Sequence, residues 1–260
     1  MSHPGRRKLA ALAVLGLAAL SLLPLSGADA HNPNNIYGPP EWRWPTSRDR
    51  LEFFWHKSVP TGRWRRQISE GAREWNRYNR RVYFVPGDPG KSRTGDPAFK
   101  CPTKNPSPNL IFKVPFPQKY QDFIGYNWRC RDRSNKLLYF RQFYNDTFTR
   151  WWTDPKGNKK IPYNKVDVQA TAAHEMGHAT GWHGHLDEDG PDENSRMDFK
   201  PYCRSYEGQD KADDVYKIPA GATPYTGKQT MCSILTSGTT AQRTLGQHDR
   251  GTFRNAYGPR

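Results

Sequence analysis

Residues 51–56 (LEFFWH) form a short apolar, aromatic run of the kind that makes a buried strand. Thr61 can then cap a helix in which Trp64, Ile68, Gly71 or Ala72, Trp75 and Tyr78 recur at helical spacing. Arg65, Arg66, Arg73 and Arg77 take the other faces, so the tryptophan stripe is read as packing against a sheet. Residues 81–85 (RVYFV) are a second strand, stopped by Pro86-Gly87. Residues 109–114, 123–128 and 137–144 supply three more. The intervening stretch 87–108, dense in Pro, Gly, Lys and Asp, is expected to be solvated turns. Asp88 and Asp96 are calcium candidates there, without a spaced oxygen-ligand pattern. Residues 145–160 are a polar, Trp-containing loop. The last periodic stretch begins near Asn164, the expected N-cap, with Asp167 as a capping-box-like partner. Val168, Ala172, Met176 and Ala179 make its apolar face, and Gly181 stands where a glycine ends a helix. This order predicts an α/β (α+β) sandwich, a twisted mixed five-stranded sheet carrying two helices on one side. No internal repeat is visible.

The polar face of that second helix carries the chemistry. His174, Glu175 and His178 spell H-E-x-x-H. Positions i and i+4 share a helical face, so both imidazoles can address one metal ion. Glu175 lies beside that ion rather than on it, where a carboxylate can deprotonate a water. Ala173 and Gly177 are small and let the helix lie close to its neighbours. A surface histidine pair is the plain alternative, and the small residues and Gly181 favour a zinc-binding helix.

Composition places the chain outside the reducing cytosol. Arg6, Arg7 and Lys8, an apolar run and Ala28-Asp29-Ala30 make residues 1–30 a signal peptide for the general secretory route. A mature chain would start at His31, with residues 31–47 an extended N-terminal arm and 48–260 a single catalytic domain. A terminal histidine can chelate copper through its amine and ring, but no other residue supports that reading. Net charge is +15 overall, about +13 without the leader, so attraction to anionic surfaces is expected. No Arg/Lys-rich helix or RNA-binding motif makes this a nucleic-acid protein. No membrane span is expected after signal cleavage, and a monomer is expected. Four cysteines in an oxidising compartment predict two disulfides; of the three possible pairings the sequential one, Cys101–Cys130 and Cys203–Cys232, is preferred because each pair brackets one local segment.

The glycine after H-E-x-x-H narrows the class. H-E-x-x-H-x-x-G with a further histidine resembles the metzincin zinc peptidases, and within them the matrixin-like secreted branch. In that pattern the third histidine follows the glycine by three positions. Here that position is Gly184, flanked by His183 and His185. The resemblance therefore implies His185 as third ligand after a turn one residue longer, with His183 the alternative. It also implies a Met-turn beneath the metal. Met231, in Thr230-Met231-Cys232-Ser233, is the first choice and Met197 the second. The ending Leu245, His248-Asp249, Phe253 to Gly258 resembles the family's C-terminal helix, closing on Tyr257-Gly258. No cysteine lies between His31 and the first strand, so a thiol-on-zinc latency switch has no counterpart. The acidic run Asp187, Glu188, Asp189, Asp192, Glu193 is read as solvated, with calcium as the alternative. A third ligand from Glu193 or Glu207, as in gluzincins, is disfavoured by Gly181 and the two histidines beyond it.

The resemblance implies a secreted zinc endopeptidase acting on protein or peptide substrates. Glu175 would be its general base, His174, His178 and His185 its ligands, and strand 123–128 its peptide-binding edge. The competing expectation is a non-catalytic, zinc-containing secreted protein that binds anionic cell-wall polymer through a basic, Trp-rich surface.

Overall fold

The computed structural model describes residues 43–45, 50–78, 81–101, 107–154, 161–162, 164–181, 230–231 and 243–257. The expected signal peptide 1–30, most of the arm, His183, His185, Met197, the acidic run, Glu207 and the expected Cys203–Cys232 pairing lie outside these residues. The elements are β1 (Arg50–Trp55), α1 (Arg63–Asn76), β2 (Tyr83–Pro86), β3 (Asn109–Val114), β4 (Gly125–Arg131), β5 (Leu137–Asn145), β6 (Trp151–Trp152), β7 (Val166–Asp167), α2 (Val168–Ala179) and α3 (Gln247–Tyr257). The five main strands form one sheet in the order β2-β1-β3-β5-β4. Its first three pairings are parallel, and β4 runs antiparallel to β5 at one edge. The mixed sheet and the two helices expected from the pattern are present. β6 and β7 form a separate two-stranded parallel pair.

Parallel strands covered on both faces are buried along their length: β3 buries its first four residues, and β5 is buried nearly throughout although it carries Arg141 and Gln142. One layer of core joins the sheet to the helices. There Phe53, Trp55, Ile111, Phe140 and Tyr144 meet Ile68, Ala72 and Trp75 of α1, Met176 of α2 and Phe253 of α3. Trp75 anchors this layer, its indole donating to the Ala173 carbonyl at 2.6 Å and meeting Phe253 edge-on at 5.0 Å. At the β2 edge, Asn76 supplies both a donor and an acceptor to the Phe84 backbone, each at 2.8 Å. A helix side chain thus occupies hydrogen-bonding groups that an exposed edge would leave open.

On the opposite face, the stretch 87–108 is exposed from Asp88 to Pro97, as expected of solvated turns, and packs through Phe99. Phe99 stacks on Phe143 at 4.1 Å and meets Phe116 at 4.9 Å. Two buried guanidiniums hold this stretch by its carbonyls. Arg65 donates to Val59, Pro89 and Lys91, and Arg141 to Asp96, Ala98 and Lys100. Five donors in a rigid fork suit such a cradle. Asp88 and Asp96 close local turns, accepting from the amides of Gly90 at 2.8 Å and Ala98 at 2.9 Å. Cys101 is bonded to Cys130 of β4, as sequential pairing predicts, and ties the stretch to the edge strand.

Two caps differ from expectation. The N-cap of α1 is Gly62, at φ 70°, rather than Thr61. The N-cap of α2 is Asp167 rather than Asn164, and its carboxylate accepts from the Gln169 and Ala170 amides.

Candidate metal and catalytic site

Helix α2 is held at both ends by distant parts of the chain. At its start, Arg243 grips Asp167 in a fork, Nε to Oδ2 at 2.5 Å and Nη2 to Oδ1 at 2.9 Å. Its third nitrogen lies 3.5 Å from Asp154. Burial pushes the Asp167 carboxyl above its ordinary range, although Arg243 and two helix amides pull it down. At the far end, Gly181 takes φ 104°, the left-handed conformation expected of a helix-ending glycine. The last carbonyls are capped by side chains: the Trp44 indole donates to Ala179 at 2.7 Å, and the Tyr257 hydroxyl donates to Thr180. Part of the N-terminal arm is therefore docked on the site helix.

His174 and His178 lie side by side on this helix, ring centroids 4.9 Å apart and planes at 81°. Nδ1 of His174 is 2.8 Å from the Thr230 carbonyl. A carbonyl only accepts, so that contact places the proton on Nδ1 and the lone pair on Nε2. Such an outer hydrogen bond fixes the tautomer and ring angle of a metal-binding imidazole. The donor set therefore suits zinc: neutral imidazole nitrogens four residues apart, at least one of them oriented from behind. Among the described residues no third His, Cys, Asp or Glu completes a metal cluster. His185 and His183 both lie beyond them.

Met231 follows Thr230 in the same turn and is fully buried. A Cβ on Gly177 would lie 2.1 Å from its sulfur and 2.7 Å from Cζ2 of Trp75. The glycine inside H-E-M-G-H is thus required by the methionine packed beneath it, between the turns bearing the two histidines. The turn is held by Asp249 of α3, whose carboxylate accepts from Thr230 at 2.6 Å, Met231 at 3.2 Å and Gly246 at 2.8 Å. Burial raises the Asp249 carboxyl to about 6, against the pull of those amides. Sequence reading noted His248-Asp249 only as part of the ending. An acidic residue in the first turn of a helix that follows a candidate Met-turn is the signal that was there to be read.

Glu175 is buried beneath the edge strand. Asn127 of β4 donates to its main-chain carbonyl at 3.0 Å, and its Oε2 has no hydrogen-bond partner. Burial raises its carboxyl to about 8, with Arg129 opposing. Arg129 lies on the same strand and is itself lowered to about 10 by burial, while Tyr126 and Glu175 favour its charged form. The Tyr144 phenol, wholly enclosed, is pushed well up, first by burial and then by Glu175. A divalent cation at the neighbouring imidazoles would favour the ionised Glu175. A buried carboxyl with a shifted pKa, one unpartnered oxygen and two imidazoles on the same helix is equipped to move a proton.

No protein-family model matches the chain, and no curated protein matches it. Among solved structures, the crystal structure of myroilysin aligns at 15% identity over 83% of this chain and 85% of that one, with a TM-score of 0.38. At that score the likeness is too slight to assign a family or an activity.

Proposed function

We propose that the chain is a secreted zinc-dependent endopeptidase of metzincin type, resembling the matrixin-like branch. The observation that carries this reading is the H-E-x-x-H helix itself. Its two imidazoles stand 4.9 Å apart, with Glu175 buried beside them and one carboxylate oxygen unpartnered. His174 and His178, with His185 as third ligand and His183 the alternative, would hold zinc. When bound, the ion supplies a Lewis acid for the scissile carbonyl and lowers a water's pKa to roughly 7. Glu175 takes the proton of the attacking water and passes it to the leaving amine. Thr230 keeps the His174 ring in register through Nδ1. The peptide adds along the outer edge of β4, which pairs with no further strand among the described residues and where main-chain pairing gives affinity with little sequence selectivity. Secretion is supported by the leader-like residues 1–30 and by the Cys101–Cys130 bond. Among the described residues no helix is long and apolar enough to cross a membrane.

The test is hydrolysis of casein or gelatin by the chain from His31 onward. Chelation should abolish it and zinc should restore it. Glu175→Gln should keep the metal and lose roughly 100- to 10,000-fold in rate. Hydrolysis that survives chelation or that substitution would overturn the proposal. A zinc-loaded protein that cleaves nothing but binds wall polymer would favour the non-catalytic reading. Metal content of His183→Ala and His185→Ala decides the third ligand.

A further inference from the structure

Gly125 opens the edge strand β4, and its lack of a side chain is not explained by the backbone. The described glycines with positive φ are Gly62 and Gly181, so Gly125 has a conformation open to any residue. Glycine inside a strand weakens it, and its presence commonly marks a close approach. The approach here is to one side chain. A Cβ on Gly125 would lie 2.4 Å from Oε1 of Glu175, 3.0 Å from its Cδ and 3.1 Å from its Cγ. Those are the three nearest atoms, and all belong to the proposed base.

Two residues along, on the same face of the strand, Asn127 donates to the Glu175 main-chain carbonyl at 3.0 Å. The antiparallel register sets Gly125 opposite Tyr144 and Asn127 opposite Gln142, so both positions are fixed by the ladder. Strand β4 therefore meets Glu175 twice. An amide holds its backbone, and a bare Cα faces its carboxylate. No hydrogen bond restrains Oε2, so shape limits where the carboxylate can lie.

We propose that Gly125, supported by Asn127, is a positioning residue for the base: a notch in the substrate-binding edge that sets the rotamer of Glu175. The proposal rests on the peptidase reading for the word base; the steric claim stands without it. Ordinary non-bonded contact begins at about 3.5 Å. A methyl group at 125 must therefore displace the carboxylate by about 1 Å. The carboxylate ends a flexible side chain, so it yields, and the fold does not.

The experiment uses the full secreted chain with Gly125→Ala, alongside Asn127→Leu. In Gly125→Ala, zinc content should equal that of the wild type, and Tm should stay within about 4 °C, the shift that roughly 1 kcal/mol produces in a domain of this size. With those unchanged, kcat should fall at least 10-fold with KM within about twofold, since a misplacement of about 1 Å can cost roughly 100-fold. Asn127→Leu should lower kcat in the same direction by a smaller factor. A crystal structure of Gly125→Ala should show the Glu175 carboxylate moved while His174 and His178 stay in place. An unmoved carboxylate, or kcat within twofold of wild type, overturns the proposal. If the wild type cleaves no peptide yet the carboxylate still moves in Gly125→Ala, the notch stands and only the peptidase reading fails.

Discussion

Replacing Arg243 by methionine tests how the site helix is held at its start. The guanidinium neutralises two buried carboxylates, gripping Asp167 in a fork at 2.5 and 2.9 Å and facing Asp154 at 3.5 Å. Asp167 also caps α2 through the Gln169 and Ala170 amides, so one side chain serves the ion pair and the helix. Methionine preserves bulk and removes the charge. Breaking one side of a buried pair costs about 3–5 kcal/mol, because the remaining charge is left in a poor solvent. At about 2–4 °C per kcal/mol for a domain of this size, Tm should fall by roughly 6–20 °C at pH 7. The sign of the pH dependence follows from Asp167. Burial already raises its carboxyl, and without Arg243 it rises further. The folded variant then binds a proton that the unfolded chain releases at neutral pH, so its deficit is largest near pH 7 and shrinks on acidification. Adding Asp167→Asn keeps a capping oxygen and removes the stranded charge, so it should recover part of the lost stability. Thermal melts of the three proteins between pH 5 and 8 make the measurement. An Arg243→Met protein melting within 2 °C of wild type at pH 7, or a double variant no better than the single one, refutes the reasoning.

Two further outcomes are expected. Gly177→Ala forces a Cβ to within 2.1 Å of the Met231 sulfur; it should cost about 1–3 kcal/mol of stability and, on the proposed zinc-binding reading, weaken metal affinity roughly 10- to 100-fold by shifting the Thr230 carbonyl behind His174. Competition with a chromogenic chelator reads the affinity, and a variant equal to wild type in both respects would refute the packing described. Asp249→Asn should flatten a pH slope. With the carboxyl at about 6 folded against 3.8 unperturbed, the stability contributed by Asp249 is fully present below 3.8 and declines by about 3 kcal/mol as pH rises through 6. The difference between wild-type and variant urea midpoints should therefore narrow from pH 4 to 7, and a constant difference would sink the assignment.

The five strands and the first two helices were legible because their signals are local. LEFFWH and NLIFKV are apolar over a strand's length, and Ile68, Ala72 and Trp75 repeat at a helix's period. His174, Glu175 and His178 were legible for the same reason, their spacing being a property of one helix. What was missed depends on partners remote in sequence. Asn164 looked a better cap than Asp167 because nothing nearby announces Arg243, 76 residues on. The stretch after Gly87 is exposed as expected, but its attachment to the domain is not legible, because Arg65 and Arg141 bind its carbonyls, which every residue type carries. For Asp249 the position in the first turn of α3 is legible but its partners are not, being the backbone amides of Thr230, Met231 and Gly246.

The ties on α2 also set an order of events. The helix is complete in sequence by Ala179, yet Thr230 and Met231 lie more than 50 residues later, and Asp249 and Tyr257 nearly at the end. Trp44 and Tyr257, remote from each other in sequence, cap adjacent carbonyls of one helix turn. Contacts of such separation form late, after the loop entropy between them has been overcome. A chain emerging N-terminus first therefore carries His174 long before it carries the Thr230 carbonyl that orients it. The orientation of His174 by Thr230 and the cap from Tyr257 both depend on chain made after the helix itself.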